Sequence, residues 1–558
     1  MKRPHIPLAC AAVGLALVGL AAQPAAAKPG KPAPTASVRL LSLNDFHGNL
    51  EPPTGSSGTA VDESGATVPA GGAAYVASHL KRLKDKNTLT VAQGDLIGGS
   101  PLISAAYHDE PSVEFLGKVG VTASAVGNHE FDEGYRELQR IQWGGCHPTD
   151  GCSPAGRWRG AKFDYLAANV IKEKKNKPVL KPWTIRRING VRVGFIGVVT
   201  KTTPTIVTAG GIKGLRFDDE VTAANRAARE LKRRGVRAMV LLVHEGDQVP
   251  AGQRPDACDV VPGAGTRIAR DADPEIDMVL AGHTHQQYVC SVTDPKGQPR
   301  FYSSGSSFGR VITQVDFQVN KRTGDIVRSS VKGDNHVVTR DVADPATETF
   351  VATWKERVAA IANKPIGKIT ASLDRTPSPG GETTVGDVIA DAQLASMKDK
   401  GAQVALMNPG GIRTDLVFKG DGTVTYGDAF AVQPFSNIMG MVSLTGKQLD
   451  HLLEQQWEGQ ARERILQPSA TLHFTVDRSK PVGDRVSAIT IDGTPVNDTT
   501  TYKVAANNFL IGGGDGFTVF TEDKSPVLGG PIDLDTFTAY LGANSPLAPP
   551  KLDRISGQ

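Results

Sequence analysis

Short runs of aliphatic and β-branched residues recur along the first half of the chain, and five of them stop at a side chain able to bind a metal ion. Val38–Leu43 runs into Asn44-Asp45-Phe46-His47, and Leu89–Ala92 into Gly94-Asp95. Ala123–Val126 runs into Gly127-Asn128-His129-Glu130-Phe131-Asp132. Ala238–Val243 ends at His244, and Met278–Ala281 precedes Gly282-His283-Thr284-His285. Apolar runs of this length, bounded by Gly and polar residues, predict buried strands. Helical stretches fall between them at Ala73–Lys84, Val113–Val119 and Val221–Arg234. This alternation from Val38 to about Val338 predicts a layered α/β domain. In sheets covered by helices, ligands gather outside the carboxyl ends of the strands. Five such ends supplying carboxylate, amide and imidazole predict a two-metal hydrolase centre.

Beyond Val338 the pattern changes. Ala346–Asn363 predicts an exposed helix with Phe350, Trp354, Val358 and Ile361 on one face, ending before Pro365 and connecting two domains. A second α/β region follows, with helices at Thr384–Met397 and Thr445–Gln456, a strand at Val404–Met407 and further strands to about Phe520. The 558 residues exceed the roughly 250–300 at which one core stops growing, which also predicts two domains. A content of 39% hydrophobic and 22% charged residues is globular. The formal charge of +4 gives no basis for binding a nucleic-acid polymer, and Lys172–Lys177 predicts a solvated loop.

The N-terminus carries an export pattern. Lys2 and Arg3 precede an apolar stretch, Leu8–Ala22, and Ala25-Ala26-Ala27 offers a small-residue cleavage site. Residues 1–27 are therefore expected to be a signal peptide cleaved near Ala27, and 28–36 a Pro/Ala/Lys linker. No later stretch could span a membrane, so an exported protein without a stable membrane anchor is expected. Apart from Cys10, four cysteines remain, and an even count in an oxidising compartment favours disulfides. Of three possible pairings, Cys146–Cys152 and Cys258–Cys290 bridge nearby segments and are expected.

Asp, Asn and His together suit zinc, manganese or magnesium. Two such ions about 3.5–4 Å apart can polarise a phosphoryl oxygen and generate hydroxide near neutral pH. Asp95, at the end of a central strand, is placed to bridge them. His129 directly follows Asn128 and is better cast beside the leaving oxygen, with Asp132 three residues on orienting its imidazole. An isolated Asp-x-His, or a lone His244, is more often incidental; the order of all five carries the argument. His108, His147, His451 and His473 fall outside the pattern and receive no role.

Three segments of the second half have the chemistry of a nucleoside pocket. Asn408-Pro409-Gly410-Gly411-Ile412-Arg413 joins a close-approach turn to a cationic fork for phosphate. Phe435 lies in a Pro-containing loop. Asn508-Phe509 precedes Gly512-Gly513-Gly514-Asp515-Gly516-Phe517, a turn with a carboxylate at its tip. Two aromatics can sandwich a base and a carboxylate can accept from both ribose hydroxyls, although Phe435 and Phe509 also read as core residues.

The set Asp45-x-His47, Gly94-Asp95, Gly127-Asn128-His129-Glu130, His244 and Gly282-His283-x-His285 resembles the calcineurin-like metallophosphoesterases, and among them the secreted 5′-nucleotidase/UDP-sugar hydrolase family. The resemblance covers nearly the whole mature chain. It implies a four-layer α/β/β/α sandwich over residues 37–340, a connecting helix at 341–363 and a second α/β (α+β) substrate-binding domain at 364–550. It further implies two divalent ions, one on Asp45, His47, Asp95 and His285, the other on Asp95, Asn128, His244 and His283. His129 and Asp132 match the catalytic dyad, and Asn408, Arg413, Phe435, Phe509 and Asp515 the substrate contacts. The activity implied is release of phosphate from nucleoside 5′-monophosphates by metal-generated hydroxide, with the second domain swinging relative to the metals. One departure stands out. Relatives carry an arginine upstream of a Glu-x-x-x-Gly-Asn-Leu helix start; here the stretch around Glu382 lacks it, Arg375 lies too early, and Asp387 replaces the asparagine. Cleavage of 2′,3′-cyclic nucleotides, UDP-sugars or other nucleotide diphosphates is the alternative, and a secreted nucleotide-binding protein the non-enzymatic one.

Overall fold

The computed structural model of the protein describes Met1 and residues 33–557, apart from Ser436 and Ala461. Residues 2–27 of the expected signal peptide and residues 28–32 of the linker lie outside the described residues. Two six-stranded sheets build the first domain. One has the strand order Lys332–Val337, Val311–Asn320, Thr35–Leu43, Thr88–Ala92, Val121–Ala125, Asp164–Leu166, the last four parallel. The other has the order Gln287–Thr293, Pro299–Gly305, Met278–Ala281, Ala238–His244, Val191–Val199, Trp183–Ile188, the middle four parallel.

The two-residue period of a strand sorts its side chains between two cores. Val38 and Leu40 pack between the sheets with Val193, Phe195, Val240, Leu242, Met278 and Leu280. Leu41 and Leu43 point the other way, into a core shared with the helices Ala73–Leu83 and Glu110–Lys118. In the second sheet Ile196, Val198, Leu241 and Val243 pack outward against Glu220–Arg233 and Ala264–Asp271. Each sheet is thus buried on both faces, which is why its strands read as continuous apolar runs. The layering is α/β/β/α, as the resemblance implied.

The helix Pro345–Ala362 departs from expectation at one position. Its contact face buries Trp354 and Val358 in the first domain's outer core, and Ala362 also packs against the second domain's. Ile361, expected on the same face, is 55% exposed. The contact row follows an i+4 spacing, Phe350, Trp354, Val358 and Ala362, and such a row winds round the helix, carrying the last turn's contact from Ile361 to Ala362.

In the second domain a four-stranded sheet has the order Met439–Thr445, Thr501–Asn507, Val404–Met407, Gln467–Pro468. Its two parallel strands, Val404–Met407 and Thr501–Asn507, deliver Asn408 and Asn508 side by side at their carboxyl ends. The helix Thr384–Met397 packs on this sheet through Val385, Val388 and Ile389. Both expected disulfides are present, Cys146–Cys152 and Cys258–Cys290. Among the described residues no helix is long and apolar enough to cross a membrane.

The segment that departs from the family pattern packs on the end of the chain's last strand. Glu382 and Asp387 are fully buried and face Arg554, which precedes the last strand. Arg554 donates to both oxygens of Asp391 at 2.9 and 2.8 Å, and its Nε lies 3.3 Å from Asp387. The backbone N–H groups of Arg554 and Ile555 donate to Glu382. Burial pushes Asp387 up to about 8, with Arg554 opposing it. The segment clamps the chain's C-terminal strand. Removing one partner of a buried ion pair costs about 3–5 kcal/mol. Arg554→Ala is therefore expected to destabilise the second domain by about that much in urea unfolding, and an unchanged midpoint would refute the clamp.

Candidate metal centre

The donors converge because the carboxyl ends of parallel strands from both sheets open on one side. Asp45, Asp95 and Asn128 follow strands of the first sheet, and His244 and His283 those of the second. The turns that follow are tight. Asp45, His47, Asp95, His283 and His285 all adopt positive φ, between 45° and 72°. Asp and His enter this region more readily than bulky residues do, yet each such residue costs about 1–3 kcal/mol and persists only where surrounding contacts enforce it.

Those contacts are visible. The Nδ1–H of His47 donates to the Gly98 carbonyl at 2.8 Å, and the Nδ1–H of His244 to the Gln93 carbonyl at 2.8 Å. Each bond fixes the tautomer and leaves the Nε2 lone pair facing the centre. His47 Nε2 lies 3.2 Å from His285 Nε2 and 3.6 Å from Asp95; His285 Nε2 lies 3.4 Å from Asp45. His244 Nε2 lies 2.9 Å from Asp95 and 3.1 Å from Asn128 Oδ1. The donors form two sets, Asp45, His47 and His285 on one side and Asp95, His244 and His283 on the other, with Asp95 also reaching His47 and His129. Burial holds His47 and His283 well below the usual imidazole range and lowers His285, which keeps them in the neutral form that binds metal. At His244 burial opposes charge, but the Asp95 carboxylate prevails and pushes the ring up to about 10. The Asp95 carboxylate thus favours positive charge at His244 Nε2, 2.9 Å away, and a divalent ion bound there would displace that proton.

His129 Nδ1 is 2.8 Å from Asp132 Oδ2, and the His129 N–H donates to Asp95 Oδ1 at 2.8 Å. Burial disfavours charge on His129, but Asp132 and Asp95 outweigh it and raise its pKa. From the second domain, Phe435 stacks on His129 with ring centroids 5.5 Å apart. The Arg413 guanidinium lies 5.6 Å over the Phe435 ring, and its Nη2 is 3.5 Å from His47 Nε2. Asn408 Nδ2 donates to Asp515 Oδ2 at 2.9 Å, and Arg464 pairs with the other oxygen. Phe509 packs against the second domain's core and under Gly514. The structure thus sends Arg413 and Phe435 to the metal side and keeps Asn408, Phe509 and Asp515 together within the second domain.

Comparison with known proteins agrees with the two-domain fold. Residues 38–287 match the calcineurin-like phosphoesterase family and residues 360–522 the 5′-nucleotidase C-terminal domain. The cell wall protein Lmo0130 of Listeria monocytogenes is 34% identical over 91% of this chain and 67% of its own length. The chain belongs to the calcineurin-like metallophosphoesterases that carry a 5′-nucleotidase C-terminal domain. Endonuclease YhcR of Bacillus subtilis is 33% identical over 94% of this chain, which spans only 41% of that relative. The crystal structure of the 5′-nucleotidase precursor from Thermus thermophilus is 27% identical, covers 93% of this chain and 99% of its own, and superposes with a TM-score of 0.77.

In this metallophosphoesterase the donor set fits two divalent ions and is that of a metal-dependent hydrolase. Bound there, they would polarise a phosphoryl oxygen and bring a water toward ionisation near neutral pH. Sequence reasoning quoted Glu130 in the Asn-His-Glu motif without giving it work to do. Its buried carboxylate accepts the N–H of Asp95 at 2.9 Å and of Leu96 at 2.8 Å, and that of Gly127 as well. It therefore ties together the turns that carry Asp95 and Asn128. The signal that could have found it was its place inside the motif, one residue beyond His129. Loss of such an outer partner typically costs 10–100-fold in metal affinity. Glu130→Gln is expected to weaken zinc binding by roughly that factor in equilibrium dialysis, and unchanged affinity would show that Asp95 needs no such support.

Proposed function

We propose that the chain is an exported dinuclear-metal phosphohydrolase that releases phosphate from nucleoside 5′-monophosphates. The observation that carries this reading is the meeting of the two domains at His129, where Phe435 and Arg413 close over the metal donors. A site roofed by an aromatic and a guanidinium suits a small phosphate ester with a stacking group. Arg413 neutralises the phosphate, and its planar fork orients it. His129, held by Asp132, donates a proton to the leaving ribose oxygen or stabilises its charge. Asn408 and Asp515 bind the ribose, with Arg464 and Asn408 fixing the Asp515 carboxylate. Phe435 and Phe509 flank the base once the second domain carries substrate between them. Export is supported by the basic and apolar N-terminal pattern and by two disulfides.

A second reading rests on Arg375. Its side chain lies on Asp415, Ser56 and Ser57, so it is not free to share the phosphate with Arg413. A site with a single guanidinium suits a singly charged diester as well as a monoester dianion, which keeps 2′,3′-cyclic nucleotides and nucleotide diphosphates in play.

Product formation from AMP (adenosine and phosphate), UDP-glucose (UMP and glucose 1-phosphate) and 2′,3′-cyclic AMP (an adenosine 2′- or 3′-monophosphate), by metal-stripped protein with zinc or manganese restored, separates the two readings. Dominant, metal-dependent turnover of AMP is expected, and preference for the cyclic ester or UDP-glucose would replace the first reading with the second. General acid catalysis is worth about 10²–10⁴-fold. His129→Ala is expected to lower kcat by that order while nucleotide binding and metal content persist; a change confined to KM would remove His129 from the proton transfer.

A further inference from the structure

Gly98 and Gly99 lie in the turn that follows Asp95, with φ of +80° and +54°. The Gly98 carbonyl accepts the Nδ1–H of His47 at 2.8 Å. A Cβ on Gly98 would lie 2.3 Å from the His129 carbonyl oxygen and 2.7 Å from Asp132 Oδ2. One on Gly99 would lie 3.1 Å from Phe435 Cζ and 3.5 Å from Arg413 Nε. Glycine permits this close approach. A metal donor, the His129–Asp132 pair and two side chains of the second domain therefore rest on one turn, and in a close-packed interior a shift of that turn reaches all of them.

The group that holds Gly98 from behind belongs to none of the sequence motifs. Asp109 is buried. Its Oδ2 accepts the Gly98 N–H at 3.0 Å, and its Oδ1 accepts the Ser104 hydroxyl at 2.5 Å. Ser104 Oγ is in turn 2.6 Å from Ser112 Oγ, so the helices Leu102–Ala105 and Glu110–Lys118 brace the carboxylate together. Asp109 directly precedes the second of these helices, where an aspartate usually accepts from the first N–H groups. Its side chain accepts none of them. Its backbone is left-handed, at φ +59°, as is that of His108 before it, at φ +50°. Such a conformation is costly for residues other than glycine and persists only where other contacts enforce it. Both departures aim the carboxylate at Gly98.

We propose that Asp109 is a positioning residue for the hydrolytic centre. It fixes the height of Gly98 and, through it, the ring of His47 and the gap between the His129–Asp132 pair and Phe435. Asp109 itself touches neither the metal donors nor the place of the substrate. The inference rests on the phosphohydrolase reading of the centre and is independent of which ester is preferred. The competing role is a carboxylate that only stabilises the junction of the two helices and leaves the centre unaffected.

The test compares the full-length chain with Asp109→Gly and Asp109→Asn. Glycine removes the carboxylate and suits the left-handed backbone, so the urea midpoint is expected to stay at or above that of the parent. Asparagine also tolerates this region and keeps an oxygen that accepts the Gly98 N–H. Misplacement of a reacting group by about 1 Å costs about 100-fold. Asp109→Gly is therefore expected to lower kcat by about 10–100-fold on the ester the parent cleaves best. It is also expected to weaken one of the two bound zinc ions by about tenfold in equilibrium dialysis, and Asp109→Asn to restore both. Parent-like kcat and zinc affinity in Asp109→Gly would overturn the role, as would an asparagine variant no better than the glycine one. A glycine variant that unfolds at lower urea than the parent would establish the competing structural role. A parent that cleaves no ester would refute the proposed function, and the zinc affinities alone would then decide on Asp109.

Discussion

The carboxylate of Asp95 is the contact on which the rest of the centre depends. One oxygen accepts the His129 N–H, and the other faces both His244 and His47. A single buried group therefore sets the distance between the two metal sets and the place of the dyad relative to both. An unpaired buried carboxylate is costly, so its neighbours must supply positive charge or N–H donors. Imidazoles, backbone amides and the ions they admit do so together. Glu130 adds a second layer by holding the amide of Asp95 itself, so the turn cannot relax without breaking several bonds at once.

That over-determination explains the backbone. Five of the metal donors occupy the left-handed region, a conformation no isolated chain would hold at five places. The two sheets absorb this strain. Their strands are buried on both faces, and each turn is anchored to carbonyls or side chains of a neighbouring turn. The histidine nitrogens facing backbone carbonyls translate this rigidity into chemistry, because a fixed Nδ1–H leaves a fixed Nε2 lone pair. Metal affinity, tautomer and backbone strain are three aspects of one packing arrangement.

The second domain contributes through contact and not through donors. Arg413 and Phe435 reach His47 and His129 across the domain boundary, while Arg375 and Asp415 bind the Ser56–Ser57 turn beside it. These polar and aromatic contacts can be exchanged for water at modest cost, which is compatible with a domain that moves between loading and turnover. The helix Pro345–Ala362, by contrast, is anchored by Trp354 in the first domain's core and touches the second domain's core through Ala362.

Strand endings were legible along the chain because a strand buried on both faces leaves an unbroken apolar run, and a ligand at its end interrupts the run with a polar residue. The five donor segments could be read in this way, the disulfides from an even cysteine count and short spacing, and the helix Thr384–Met397 from its own stretch of sequence. The two-residue alternation that assigns Leu40 to one core and Leu41 to another could not, since both positions are apolar. The bond from Gly98 to Asp109 was hidden for a different reason. Asp109 ends no strand and belongs to no motif, and only folding turns its carboxylate back to Gly98. The segment around Glu382 read as a departure in the substrate site, whereas its carboxylates face Arg554, more than 160 residues away in sequence. Sequence determines what each segment can be locally, through period, turn chemistry and donor type. Which distant segment completes a buried charge is decided only when the chain is packed, because that choice minimises unpaired charge over the whole fold and leaves no local signature.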